Sequence, residues 1–304
     1  MELPLRLRAR FLRGTRTKTA NRLREQLGWE QAPFSEEMRK MRRRFGDYLE
    51  TRACGRPFIV DLRDTIIGPA ILYYNVWEPE KTEFFRRLLR PGDRVVDIGA
   101  NIGYFTVLFA SAVAPDGKVL AIEPDADNLR LLEENVRING LSATVQVAAA
   151  AAGERSGEHY ILAGTGVANR GDHRTFGDAP GGGARRAIAM VMVDDLVAAW
   201  PSIALIKMDV QGFEYFALQG MLATLRRCQN IALVTEFWPS EMRRAQSDPE
   251  RFIAELAALG MEAWTFERSG RLEKADALAL ARDLEPKGGS ADLLFQRPAA
   301  FLSA

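Results

Sequence analysis

The sequence predicts an α/β protein built on a mostly parallel sheet with helices on both faces. Two observations carry the prediction. From residue 94 onward, apolar runs rich in Val, Ile, Leu and Ala alternate with stretches of helical periodicity. Those runs, "DRVVDIG", "GKVLAIEP", "ATVQVAAAA", "IALIKMDV" and "NIALVTEFW", read as near-continuous apolar strands, the pattern of a sheet buried on both sides.

In chain order, residues 1–60 read as a basic, mostly helical extension, and residues 61–304 as the main domain. "RPFIVDLRD" and "TIIGPAILYY" form a hairpin-like pair, and "EPEKTEFFRRLLR" is a helix stopped by Pro91 and Gly92. "DRVVDIG" is a strand followed by a helix from Ile102 to about Val113. "GKVLAIEP" leads into "DADNLRLLEENVRING", a helix that Gly140 ends. The third strand is "ATVQVAAAA". The fourth precedes the helix "FEYFALQGM", and the fifth precedes "DPERFIAELAALG". "MEAWTFER" and "ADLLFQRP" finish as strands, one of them antiparallel to the rest.

Composition bounds the function. The 304 residues are 47% hydrophobic with a net charge of +1, which suits a soluble globule. No apolar stretch reaches the roughly 18–20 residues that span a bilayer, and the start lacks the apolar centre of a signal peptide, so the expectation is a cytoplasmic protein. Cys54 and Cys228 stand far apart without ligand spacing, which suggests neither a disulfide framework nor a zinc site. Every charged residue from Arg6 to Arg24 is basic, and "MRKMRRRF" adds a second cluster. Such an arm either is solvated or meets an anionic membrane surface or protein; nucleic acid is not the expected partner.

In an open α/β sheet, ligands lie beyond the carboxyl ends of the strands. Four of the predicted strands end in an acid: Asp97, Glu123, Asp209 and Glu236. Gathering four carboxylates without a ligand is costly, and a cationic polyol relieves the cost. The glycine turn "GANIG" lacks the GxGxxG spacing of a dinucleotide site, and Asp97 would repel a pyrophosphate. The same carboxylate attracts the α-ammonium of S-adenosylmethionine, and Glu123 is placed to accept both ribose hydroxyls. On this reading Gly99 and Gly103 are bare so that the ligand can lie on the backbone.

"VVDIGANIGYFTVLFA", "VLAIEPDADNLRLLEENVRING", "VMVDDL", "IKMDVQGFEYFALQGM" and "VTEFWP", with "WEPEKTEFFRRLLRPGD" upstream, together resemble the FkbM family of S-adenosylmethionine-dependent methyltransferases, over about Val76 to Phe295. The resemblance implies a class I, Rossmann-like methyltransferase fold: a seven-stranded sheet with one antiparallel strand. It also implies methyl transfer to a hydroxyl, often of a sugar or secondary metabolite. Carried onto this chain, it puts Asp97, Gly99, Asn101 and Gly103 around the methionine moiety of the donor. Glu123 falls at the ribose with Pro124 and Asp125 beside it, and the adenine lies near Ala149. Glu78 either closes the pocket or complements the helix dipole behind it.

Asp209 is the candidate for positioning or deprotonating the acceptor hydroxyl, against the alternative of a helix cap. Glu236 either lines the acceptor side with Phe237 and Trp238 or ends a packed strand. His173, within the glycine-rich interruption Thr165–Arg186, is the candidate histidine base. The family's DVEG block reads "DVQG" here, which leaves Gln211 an orienting role. Glu214 reads as a first-turn helix acid. No required metal is expected. The reading is thus an O-methyltransferase of a small-molecule or glycan acceptor. A nicotinamide-dependent oxidoreductase is the second reading, and a non-catalytic scaffold with a nucleotide-like pocket and a basic recruiting arm is the third.

Overall fold

The computed structural model describes residues 34–64, 66–157, 159–164, 173–176, 185–267 and 271–298. The chain divides into two compact units, one drawn from residues 1–79 and the other from residues 80–165 and 172–304.

In the first unit the helix Phe34–Phe45 carries Arg42, Arg43 and Arg44 in its last turn, where cations suit the negative end of the helix dipole. Strands β1 (Tyr48–Ala53) and β2 (Arg56–Asp61) then form an antiparallel hairpin with Ala53 opposite Arg56. Cys54 and Gly55 join them at φ 49 and 82, both left-handed, as a two-residue turn of the primed type requires. Among the described residues of the extension, the helix ends at Phe45 and the hairpin follows. One expectation fails here: the partner of "RPFIVD" is "YLETRA". "TIIGPAILYY" instead contains the helix Ile67–Tyr74. The buried carboxylate of Asp64 accepts from the amides of Ile66 at 3.1 Å and Gly68 at 2.5 Å, which starts that helix, and Pro69 is tolerated in its first turn.

The second unit opens within the helix Pro79–Leu88, from Glu80 on, and continues with the sheet strands β3 (Arg94–Ile98), β4 (Lys118–Ile122) and β5 (Val145–Ala148). A side sheet follows, made of β6 (Ala151–Ala152), β7 (His159–Gly164), β8 (His173–Phe176) and β9 (Arg185–Val191) in the order β6-β9-β7-β8. Residues 173–176 and 185–186 of what the sequence suggests is irregular insertion lie in its strands; the rest of Thr165–Arg186 lies outside the described residues. The main sheet resumes with β10 (Leu205–Met208), β11 (Ala232–Phe237), β12 (Glu262–Phe266), β13 (Leu272–Lys274) and β14 (Ala291–Gln296).

The main sheet runs β13-β12-β14-β11-β10-β3-β4-β5. The strands from β5 to β11 are parallel, and β14 is antiparallel to both β11 and β12. The expected seven strands with one reversed are therefore present, and β13 adds an eighth at the edge. The helix Ala277–Leu284, between β13 and β14, is not evident in the sequence. Its "ALALARDL" has a large–small alternation that mimics a strand, and it is Asp276 that starts it, accepting from the amides of Leu278 and Ala279.

Helix Tyr104–Val113 follows β3 and is buried along nearly its whole length, as a helix apolar all round must be. Phe85 meets Phe105 and Phe109 edge-to-face at centroid distances of 5.3 and 5.0 Å. Val96, Leu120, Met208, Phe237, Phe252 and Phe295 belong to a second cluster that pins the central strands. Phe109 is fully enclosed. Phe109→Ala is therefore expected to lower unfolding free energy by about 3–5 kcal/mol in denaturant titration, without shifting the slope of the transition.

Candidate active site

Strand β3 ends in a turn with three left-handed residues in five, Gly99 (φ 71), Asn101 (φ 52) and Gly103 (φ 86). A Cβ at Gly99 would lie 1.9 Å from the backbone oxygen of Asp209, and one at Gly103 would lie 3.2 Å from the side chain of Leu132. The bare backbone at both positions thus answers first to the protein's own packing, rather than to a ligand as the sequence suggests. Asn101, being left-handed, points its amide at Glu123, whose Oε2 accepts it at 2.8 Å.

Glu123 stands just past β4 and is buried. Its Oε1 accepts from the Asp125 amide at 2.9 Å and the Asn128 side chain at 3.4 Å. Burial pushes its carboxyl up to about 7 despite those bonds. A carboxylate offers about four acceptor sites, so three donors leave room for one more. Asp125 caps the helix Ala126–Ile138 through the amides of Asp127 and Asn128. Pro124 is half-buried between the two acids. Ala149 is exposed just beyond β5, next to Ala148, whose oxygen accepts from the Glu123 amide at 3.1 Å.

Asp97 has no solvent-accessible surface. Its Oδ2 accepts from Thr106 at 2.6 Å. Its Oδ1 makes no hydrogen bond and faces Lys207 Nζ at 3.6 Å. Burial pushes the Asp97 carboxyl up, and Lys207 and Thr106 work against that rise. A direct contact with a ligand ammonium, which the sequence suggests, has no open approach in this arrangement. The sequence reading passes over Lys207, although a lone lysine in "IALIKMDV" is a legible signal. It stands opposite Asp97 in the β3–β10 register and donates to the Gly99 carbonyl at 2.9 Å.

Asp209 follows β10 and is part-exposed. It caps no helix: the next one, Glu214–Gln219, has Phe213 at its start and no side-chain cap. Gln211, at φ 54, donates from its one amide nitrogen to Asp209 Oδ1 at 2.7 Å and to Glu236 Oε2 at 2.8 Å. Ser290 donates to Glu236 Oε1 at 2.8 Å. Burial and the Asp209 carboxylate push Glu236 up to about 8. Burial acts to raise Asp209 as well, but Lys207, Lys81 and the hydrogen bonds outweigh it and hold Asp209 below its ordinary value. The pair therefore carries one proton near neutral pH, kept by Glu236. Lys81, paired with Asp292 at 2.7 Å, completes the rim.

Phe237 is packed against Phe252 and lines nothing open, while Trp238 donates to the Gly288 carbonyl at 3.1 Å. Glu214 is buried beneath the 210–212 turn, where one of its oxygens accepts from Val210 and Gly212 at 3.2 Å each. Burial pushes it up to about 7. His173 opens β8, and its side chain lies outside the described residues. Glu78 belongs to the first unit, where its backbone takes φ 43. Among the described residues no group of three or more His, Cys, Asp or Glu side chains is arranged to hold a metal ion. Among them, too, no helix is long and apolar enough to cross a membrane.

The family model described as the methyltransferase FkbM domain matches residues 97–263, over half of the chain. A 58-residue stretch is 36% identical to the protein-L-isoaspartate O-methyltransferase of Aeropyrum pernix, over 19% of this chain and 22% of that protein. A 48-residue stretch is 42% identical to the demethylmenaquinone methyltransferase of Symbiobacterium thermophilum, over 16% and 19%. The chain thus spans about a fifth of the length of the curated relatives it matches. Among solved structures, the FkbM methyltransferase from Methylobacillus flagellatus aligns with 17% identity and a TM-score of 0.37, over 70% of this chain and 50% of that one. An O-methyltransferase from Bacillus cereus, solved in complex with SAH, aligns with 14% identity and a TM-score of 0.40, over 72% and 80%.

The raised carboxyl of Glu236 fixes the sign of one pH dependence. Its contribution to stability is complete below the unfolded value of about 4.3 and is lost as pH rises through about 8. Melting temperature is expected to fall across that window. Glu236→Gln, which cannot ionise, flattens the fall in part, because Glu123 and Glu214 act with the same sign through about 7. An unchanged slope in the variant would contradict the assignment.

Proposed function

The chain belongs to the FkbM methyltransferase family, and from that premise we propose that it is an S-adenosylmethionine-dependent O-methyltransferase acting on a hydroxyl of a sugar, glycan or secondary metabolite. One observation carries the reading: Asp209 and Glu236, bridged by Gln211, stand at the ends of adjacent parallel strands beside the Gly99 turn. The donor set suits the cofactor. Glu123 has acceptor capacity for one ribose hydroxyl, the exposed Ala149 leaves space for a flat base, and a rim of carboxylates favours a cationic sulfonium. In this reading Asn101, Gly99, Gly103, Pro124 and Asp125 shape the same pocket, and the protein works in the cytoplasm.

S-adenosylmethionine supplies a methyl group already activated by its sulfonium. The chain's part is orientation, water exclusion and one proton. Asp209, held ionised, accepts the hydrogen bond of the acceptor hydroxyl and fixes the direction of its lone pair. With the donor held beside the Gly99 turn, the Asp209–Glu236 pair would take up the proton that the acceptor hydroxyl gives up. Gln211 keeps both carboxyls in line by donating to each.

Calorimetric titration with S-adenosylmethionine, S-adenosylhomocysteine and NAD tests the reading. Both adenosyl ligands are expected to bind, with at least about tenfold weaker binding to Glu123→Ala. Binding of NAD alone would move the nicotinamide-dependent oxidoreductase to first place. In a screen of glycans and hydroxylated metabolites for labelled methyl transfer, Asp209→Asn is expected to lose about 10²–10⁴-fold in turnover while still binding the adenosyl ligands. An Asn variant with full turnover on the same acceptor would remove Asp209 from the chemistry.

A further inference from the structure

Burying a lysine in a strand of Leu, Ile and Met is costly, so its partners must return the cost. The Lys207 side chain is 7% exposed. Its shortest contact is with the Gly99 carbonyl, at 2.9 Å. Asp97 Oδ1 is next at 3.6 Å and Asp209 Oδ2 follows at 3.9 Å, with the ring of Phe105 centred 5.7 Å away. If Lys207 served only to neutralise the enclosed Asp97, its hydrogen bond would go to that carboxylate. It goes instead to the turn, and the ammonium stands between the acids of β3 and β10.

We infer that Lys207 is a positioning residue that ties the glycine turn after β3 to Asp209 after β10, so that the donor and acceptor halves of the site are ordered together. The inference rests on the methyltransferase reading for the meaning of those two halves. The tie itself rests on the distances. Residue 99 has no room for a side chain, because Asp209's own backbone oxygen fills that space, and Lys207 donates to its carbonyl. The same ammonium is foremost among the influences that keep Asp209 ionised against burial, with Lys81 second. The other charges facing this group are Asp97 from β3, Glu236 from β11 and Glu214 from the helix after β10, while Asp292 from β14, paired with Lys81, acts on Glu236.

The test compares wild type with Lys207→Met, Lys207→Arg and the double variant Asp97→Asn/Lys207→Met, which leaves no enclosed carboxylate without its cation if the single variant fails to fold. Affinity for S-adenosylhomocysteine is read by calorimetry, and melting temperature at about pH 5 and about pH 8. Without the Lys207 ammonium, burial raises the Asp209 carboxyl, so the variant recovers part of its loss by taking up a proton toward acid, and removal of Lys207 is expected to cost more at the higher pH. The inference expects about tenfold weaker adenosyl binding in both Met-containing variants, and recovery in Lys207→Arg of most of the binding and of the pH dependence. Equal melting-temperature losses at both pH values would overturn it. So would wild-type binding by the double variant, which would leave Lys207 serving Asp97 alone. Failure of the wild type to bind any adenosyl ligand would sink the methyltransferase reading, while the melting data would still decide whether Lys207 acts on Asp209.

Discussion

Strands β3 and β10 lie side by side in parallel, and the rim depends on how closely their ends approach. The Asp209 amide donates to the Ile98 carbonyl at 3.0 Å, and the Asp209 oxygen occupies the space a side chain at residue 99 would need. From that contact the rest follows. Residue 99 must be glycine, the chain must turn left-handed there, and the amide of Asn101 is thereby aimed at Glu123. One steric constraint between two strand ends sets the positions of the carboxylates on both neighbouring strands.

A site rich in acids survives burial because its charges are distributed unequally. Lys207 and Lys81 supply positive charge, Gln211 supplies two donor contacts without charge, and Glu236 keeps a proton. A carboxylate at 211, as in the family's usual block, would press a second anion on a pair that already holds one. The amide satisfies both at once, so the substitution is consistent with a pair that shares one proton.

Most of the fold is legible in the sequence because the central strands are continuous apolar runs and the helices after them carry clear caps, such as Asp125 and Asp248. The strand-end acids are legible for the same reason: the apolar run stops where they begin. Most of what is missed is non-local. Nothing near "TIIGPAILYY" reveals that β2 pairs with an earlier, charged strand; the Asp276 cap beside "ALALARDL" is local, but the alternation after it masks the helix. Gly99 is correctly singled out, but its obstacle lies more than a hundred residues away, so local reading assigns the space to a ligand. Lys207 is passed over because its partners come from another strand, and Ser290 and Asp292 because β14 reaches the site from far along the chain.

The place of β14 carries a consequence for how the molecule is made. It lies between β11 and β12, both of which precede it in the chain. During vectorial synthesis β11 and β12 emerge with unpaired edges, and only the later strand bridges them. Ser290 and Asp292 arrive with that strand, so the bond to Glu236 and the ion pair of Lys81 close at the same step as the sheet. A nascent chain stopped short of residue 290 holds the glycine turn and Asp209 in sequence, but it lacks both the wedge that joins its sheet edges and the hydroxyl that holds Glu236.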